Sequence, residues 1–308
     1  MSTVTPLIHV VMMLTMPILM VGLVNRTKSL WAGRRGPRLL QSGWDLLRLL
    51  HKQPVFSVVT SPLFRAGAWV VLAASLLAAL IAPMLGSVAP LQFSHDFILF
   101  AYALGLARLF LMLSALDVGS SFEGMGAARE AAFSTFIEPA LFLLIGTACL
   151  ATGQTSFASL IGHWHQAPDF PWLVAPGVAV LFVLLQAEAA RVPVDDPMTH
   201  LELTMVHEVM ILDHSGPELA AMQFAGAIKM TIYAGLIAAL LNPFDVSTQP
   251  FAGIATSLLI MAGVAVAVGC VESLTARLRM HYVPYYLMGA SVLAALCLGA
   301  TTFLAAST

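Results

Sequence analysis

Eight stretches of this chain stay apolar for about the length an α-helix needs to cross a lipid bilayer, roughly 20 residues. They fall near 6–24, 66–86, 97–116, 132–152, 172–189, 223–242, 251–271 and 283–304. Inside lipid each backbone amide must find its partner within its own segment, so runs of this kind predict helices. The remainder of the 308 residues makes five short connections and two longer loops, 25–65 and 190–222. The expectation is an all-α, polytopic integral membrane protein, 1–308 forming a single membrane domain. It has about eight transmembrane helices and a cytoplasmic amphipathic helix. Only 10% of the residues are charged, against about 25% in soluble domains. That excludes a water-soluble enzyme and a nucleic-acid binder and makes the lipid bilayer the chain's main surroundings. The N-terminus carries no basic stretch ahead of its apolar run, so no cleaved signal peptide is expected. The three cysteines lie in apolar stretches without CxxC spacing, so neither a zinc site nor an iron–sulfur cluster is expected in this chain.

The basic residues orient the spans. The loop 25–65 holds Arg26, Lys28, Arg34, Arg35, Arg38, Arg48, Lys52 and Arg65, and later loops on the same side hold Arg129, Arg191, Arg277 and Arg279. The opposite loops, 87–96, 153–171 and 243–250, hold none. Lysine and arginine concentrate in cytoplasmic loops. The loops 25–65, 117–131, 190–222 and 272–282 are therefore expected in the cytoplasm, with both termini outward from the inner membrane.

Four spans carry charges that an anchor does not need: Arg108, Glu138, Glu188 near the end of its span, and Lys229, with Glu272 at the end of a fifth. A charge at mid-bilayer costs about 3 kcal/mol on insertion scales, so such groups are paired or line a water-filled path. Glu138 precedes Pro139, which removes a backbone donor and can bend the helix there. A structural ion pair, for example Glu138 with Arg108, competes with a proton relay. None of the nine histidines lies near the middle of a span, which argues against a haem held between membrane helices.

The two long loops hold the remaining chemistry. In the first, Leu39, Gly43, Leu46, Leu47 and Leu50 share one helical stripe with Trp44 beside it, while Asp45 and Arg48 sit on a more polar side. This predicts a helix lying in the membrane interface or against a cytoplasmic subunit. The second loop gathers Arg191, Asp195, His200, Glu202, His207, Glu208 and Asp213. HExxH is absent, so these histidines and acids suit proton uptake at the membrane surface better than metal binding. The apolar residues among them, from Leu201 to Leu212, point to packing under a partner.

These motifs resemble a family. Arg34-Arg35-Gly36-Pro37 followed by Gln41, Asp45 and Arg48 is similar to the start of the subunit-1 family of respiratory complex I. That family also contains the membrane subunits of formate hydrogenlyases and other energy-converting nickel–iron hydrogenases. Ala107-Arg108, Leu116-Asp117 with Gly119-Ser120, Gly126 through Arg129-Glu130, and Glu138-Pro139 look like the hydrogenase branch. In the second loop Glu188, Arg191, Pro193, Asp195, Glu202, Leu203, Ser215 and Gly216 match. Met198 and His200 stand where the family has acids, which argues against a quinone site.

The resemblance implies a subunit without a cofactor of its own. It would anchor a cytoplasmic arm of a hydrogenase-like large subunit and an iron–sulfur small subunit. That arm would hold iron–sulfur clusters and a nickel–iron centre or its metal-free counterpart. It would also join the arm to antiporter-like membrane subunits. A proton path is expected through Glu202, Glu188, Glu138, Glu130, Lys229 and Arg108. A partner interface is expected at Arg34, Arg35, Asp45, Arg191, Asp195, His200, His207, Glu208 and Asp213. Two readings compete, a quinone-chamber subunit of respiratory complex I (an NADH–quinone oxidoreductase) and an independent ion transporter. A transporter would carry inverted repeats with broken helices at mid-membrane, and only the Glu138-Pro139 interruption stands out.

Overall fold

The computed structural model describes residues 4–166, 171–195, 205–244, 246, 248–276 and 278–307. Among them the secondary structure is helical: α1 Val4–Trp31, α2 Gln41–Leu50, α3 Pro62–Ile81, α4 Asp96–Asp117, α5 Ser121–Thr152, α6 Phe157–Gln166, α7 Val174–Glu188, α8 His207–Met210, α9 Gly216–Leu241, α10 Pro250–Leu274 and α11 Val283–Ser307. Seven are long and apolar enough to cross a membrane. The chain is a multi-pass membrane protein.

The fifth expected span, 172–189, has a helix shorter than its apolar run. α7 has 15 residues, and a three-residue 3₁₀ turn, Pro171–Leu173, precedes it. At 1.5 Å per residue α7 is about 22 Å long, short of the roughly 30 Å hydrocarbon layer. Its last residue, Glu188, is thereby held at the level of residues that lie mid-helix in its neighbours.

Other boundaries differ from the expected ones for local reasons. The span at 66–86 is α3, shifted toward the N-terminus. Ser61 caps it by accepting a hydrogen bond from Leu63 N at 3.1 Å, with Pro62 in the first turn. It stops at Ile81 because Ala82, ahead of Pro83, adopts an extended backbone. The loop expected at 117–131 is mostly helix. α5 starts at Ser121 and buries Glu123, Gly126 and Ala127. At Gly126 an added Cβ would lie 2.8 Å from Val209 and 3.0 Å from Met210, so α8 packs directly on that turn. α5 runs through Pro139 as a single helix. α9 likewise starts at Gly216, seven residues before the expected span, with Pro217 in its first turn.

α9 forms the centre. It packs against α1, α2, α3, α7 and α10, and buried residues occur around its whole circumference. Alanines and Gly235 allow this close approach, as small residues do between membrane helices. A Cβ at Gly235 would come within 2.6 Å of Met84. α3 pairs with α4, α5 with α11, and α1 with α10 around this axis. α2 lies where the amphipathic stripe predicts a helix. It buries none of its residues and leans on α1, where Ser42 Oγ donates to Ile18 O at 2.9 Å.

Candidate functional site

Four helices bring their charges to one point. Arg108 of α4 lies at its centre and is 3% exposed. One Nη donates to Glu138 Oε1 at 2.6 Å, the other to Glu188 Oε1, and Nε lies 3.3 Å from Glu130 Oε1. Lys229 of α9 donates to the second oxygen of Glu188 at 3.2 Å. Glu130 and Glu138 are eight residues apart on α5, close to two turns, so both face α4. The planar guanidinium fork suits this role, because it serves several carboxylates at fixed angles where a lysine ammonium offers a point charge. At about 3 kcal/mol per unpaired charge at mid-bilayer, five isolated charges would oppose insertion strongly. Gathered together they pair with one another, each carboxylate meeting Arg108 and Glu188 meeting Lys229 as well.

One residue of this site has no charge to flag it in the sequence. Tyr233 follows Lys229 by one turn of α9, is fully buried, and interacts electrostatically with Glu188 and Arg108. Its hydroxyl has no hydrogen-bond partner among the described residues. The spacing from Lys229 was the signal that could have found it.

The second loop folds over the cluster. Asp195 is buried, and its Oδ2 accepts from Val206 N at 3.2 Å and His207 N at 2.9 Å. Asp195 therefore shapes the loop from within. A narrow pocket is lined by Glu130, Glu188, Asp195, His207 and Lys229. On the other side of His207, a cavity of about 270 Å³ lies between α1, α2, α9 and the loop, lined by Arg38, Asp45, Arg191, Glu208 and Gln223 among others. His207 lines both spaces. Burial, with Lys229 and Arg191 adding to it, drives its pKa down to about 4, so its ring is neutral at pH 7. A third small cavity, about 50 Å³, touches Arg108, Glu188 and Glu138 and lies between α4 and α5. The first two spaces share His207 and Ala190 in their linings and the last two share Ile137 and Glu188, so the linings form a series from the basic end of the molecule to Glu138.

A second ionic group ties the loop down. The side chain of Glu272 is fully buried, 2.7 Å from Lys28 Nζ and 3.4 Å from Arg191 Nη1. This joins α1, α10 and the loop. At the start of α5, Glu123 is buried and its Oε1 accepts from Asp213 N at 3.3 Å. His214 stacks on Phe64 with ring centroids 3.9 Å apart. Burial pushes the His214 pKa down to about 4.

Of the residues expected on a proton path, Arg108, Glu130, Glu138, Glu188 and Lys229 are brought together, and Glu202 lies outside the described residues. Of those expected at a partner interface, Arg34, Arg35, Asp45 and Asp213 are exposed at the basic end. Arg191, Asp195 and His207 are turned inward to the groups just described, Glu208 is half-buried beside the larger cavity, and His200 lies outside the described residues. Among the described residues, no three His, Cys, Asp or Glu side chains are grouped to hold a metal ion.

Comparison with known proteins adds the following. A family model described as NADH dehydrogenase matches residues 4–303. The chain is 27% identical over 292 residues to formate hydrogenlyase subunit 4 of Escherichia coli (strain K12), covering 92% of this chain and 94% of that protein. It is 28% identical over 255 residues to hydrogenase-4 component C of the same organism, covering 82% and 80%. Among solved structures, a chain of the membrane-bound sulfane sulfur reductase, an archaeal respiratory membrane complex, superposes with a TM-score of 0.81 at 18% identity over 96% of this chain and 98% of that one. The last likeness shows a shared fold.

Proposed function

The chain belongs to the NADH dehydrogenase family, and from that premise we propose that it is the membrane-anchor and proton-coupling subunit of an energy-converting hydrogenase complex of the formate hydrogenlyase type. The names of its two Escherichia coli relatives support the hydrogenase branch. The observation that carries the coupling role is the series of spaces that leads from the basic end past His207 to the Arg108 cluster.

In this reading the basic loops face the cytoplasm, both termini face outward, and the membrane is the inner one. The exposed Arg34, Arg35, Asp45 and Asp213 help hold an arm made of a hydrogenase-like large subunit and an iron–sulfur small subunit. Iron–sulfur clusters and a nickel–iron centre, or a metal-free counterpart, reside in that arm. A change of charge in the arm moves protons toward the second loop. A proton reaching Glu130 or Glu188 weakens that carboxylate's hold on Arg108 or Lys229, and the guanidinium then binds its remaining carboxylates more strongly. Glu138 passes the change to antiporter-like membrane subunits. One charge moved against 100 mV costs about 2.3 kcal/mol, within reach of a modest redox step.

Two measurements test this. First, the complex is purified in mild detergent through a C-terminal tag on this chain, and its partners and metals are identified. Iron–sulfur proteins with nickel are expected. A chain that purifies alone and moves ions alone would sink the reading and leave the transporter. Second, the Glu188→Gln complex in vesicles is expected to keep most redox turnover and lose at least about tenfold of its proton movement, since an amide cannot carry the proton. Proton movement equal to wild type would remove the cluster from the path.

A second reading, a quinone-chamber subunit, is favoured by one feature. The cavity of about 270 Å³ combines apolar Pro17, Ile18 and Val21 with polar Arg38 and Gln41, close to the size of small-ligand sites. Quinone retained by the purified complex, with quinone reductase activity and no nickel, would establish it.

A further inference from the structure

Glu138 is the member of the Arg108 cluster that the bundle leaves open. Its side chain is 53% exposed, while those of Arg108 and Glu188 are 3% and 2% exposed. The opening lies on the flank between α4 and α5. There Gly105 offers no side chain to cover it, since even an added Cβ would end 4.0 Å from Glu138 Oε1. The surroundings are otherwise those of a lipid-facing surface: Tyr102, Leu106, Leu109 and Phe142 are all exposed. An ionised carboxylate is strongly disfavoured against acyl chains, so a bare lipid contact here is not a stable arrangement. Arg108, at the same level, lies nine residues from the end of α4, about 13 Å along the helix and too deep for a lipid head group. Within the cluster three carboxylate side chains meet only two cations; Glu188 meets both, Glu138 meets Arg108 alone, and Glu138 is the exposed one of the three.

We propose that this flank docks a membrane-spanning helix of another subunit, and that the helix sets a basic side chain against the open side of Glu138. The proposal rests on the reading of the chain as one subunit of a larger membrane assembly. It adds where the neighbouring membrane subunit sits and what chemistry it brings. A second copy of this chain is a poor occupant. A two-fold contact pairs each surface patch with itself and would bring two Glu138 carboxylates together. A basic group from a different helix completes the charge of the cluster. It also makes the Arg108–Glu138 pair sensitive to movement of that helix, which is a physical link between this chain and its neighbour.

The test uses whole complex in native membranes. The photo-crosslinking amino acid p-benzoylphenylalanine is placed at Tyr102 or Phe142, with Leu259 of α10 and Leu296 of α11 as exposed controls on other helices. Illumination is expected to join both test positions to the same membrane-spanning protein, in a segment that contains Lys, Arg or His, and to join the controls to neither that segment nor its neighbours. Adducts with lipid only, with a second copy of this chain, or with a span lacking a basic residue would each overturn the proposal. The charge is tested separately. Glu138→Lys should lower recovery of that protein in the purified complex by about tenfold, and Glu138→Gln by less, because like charges in contact are repelled. Changing the crosslinked basic residue of the partner to Glu should restore recovery with Glu138→Lys. Absence of rescue would remove the ion pair. A complex that still couples protons while Tyr102 and Phe142 meet only lipid would defeat this proposal and leave the proposed function standing.

Discussion

The two ends of the helix bundle solve the problem of buried polar groups in opposite ways. At the basic end the groups are ionic and shared: Arg108 serves three carboxylates, Glu188 accepts from two cations, and Glu272 holds Lys28 and Arg191. At the other end they are mostly neutral and closed. Asn242 Nδ2 donates to Gly253 O and Ser257 Oγ, both at 2.9 Å, and Asn242 Oδ1 accepts from Thr256 Oγ1 at 2.9 Å. His9 Nε2 pairs with Ala79 O at 2.9 Å. The cavity there, about 90 Å³, is lined by Leu141, Leu144, Ile161, Trp164, Leu236 and Leu240 among others. A shared ionic network can redistribute charge when a proton arrives, whereas a closed neutral one has nothing to redistribute. Among the described residues the charged series therefore stops at the level of Arg108, and its open side points across the membrane plane at Glu138.

The substitution expected to disturb this contrast most is Arg108→Leu. It strips the cation from Glu130, Glu138 and Glu188 at once. Removing one partner of a buried ion pair costs about 3–5 kcal/mol, because the uncompensated charge remains. Thermal unfolding in detergent should show a large drop, with poor recovery from membranes. Asn242→Leu at the other end takes the amide partner from the neutral Ser257 Oγ and Phe244 N, which costs about 1–3 kcal/mol. Equal losses would mean that the ionic end is no more interdependent than the neutral one.

Acid is expected to act next most strongly, and at the basic end. His207 and His214 are neutral in the fold because burial holds both near about 4, while an unfolded chain titrates them near 6.5. Below about pH 6.5 the unfolded state binds protons that the folded state refuses. Stability therefore falls as pH drops from about 6.5 to about 4, by up to about 1.4 kcal/mol per unit for each histidine. Above 6.5 both states are neutral at these rings and the contribution is flat. Unfolding curves across pH 4–8 check this. His214→Phe should make the slope shallower while keeping a ring on Phe64. An unchanged slope would exclude His214 as a source.

A smaller effect is expected at the Glu272 clamp. Lys28 is partly exposed, and Arg191 remains beside Glu272 when it is lost. Lys28→Met should cost about 1 kcal/mol, near the upper end for accessible pairs. Arg191→Met should cost more, since it also frees the second loop over the cluster. Hydrogen exchange at Val206 and His207 would tell the two apart, rising in Arg191→Met alone.

Much of this architecture was legible in the sequence, because the signals involved are local. Runs of about 20 apolar residues place the helices, and the Leu39–Leu50 stripe predicts α2. The boundaries moved where a local apolar count sees only part of the cause: Pro83 ended α3 early, and packing of Gly126 on α8 made helix of an expected loop. The four charged spans were legible too, and the Arg108–Glu138 pair stood among the expectations, but the way Glu188 and Lys229 join it did not. The pairs Arg108–Glu188 and Lys229–Glu188 are 80 and 41 residues apart and depend on α7 stopping short at Glu188. The apolar run does end beside Glu188, but a hydropathy pattern does not show which residues of other helices lie at that level. The inward turn of His207 was hidden for the same reason, as was the open side of Glu138, which depends on Gly105 of the neighbouring helix.

The smallest expected effect gives the strictest test of the contrast. Asp96, at the far end of α4, is a buried acid outside the ionic series, about 18 Å from Arg108 along the helix. Its Oδ1 accepts from Phe157 N at 2.9 Å, at the start of α6, and its Oδ2 has no hydrogen-bond partner among the described residues. Asparagine keeps an oxygen for Phe157 N. Asp96→Asn should therefore cost about 1 kcal/mol or less, the scale of one neutral hydrogen bond. Proton movement per redox turnover should stay within about twofold of wild type, since a group that passes no proton has no general acid–base role to lose. If Asp96→Asn instead stopped proton movement as Glu188→Gln is expected to, charge would have to cross the neutral end. Glu138 would then be a side branch, and the path would run straight through the bundle.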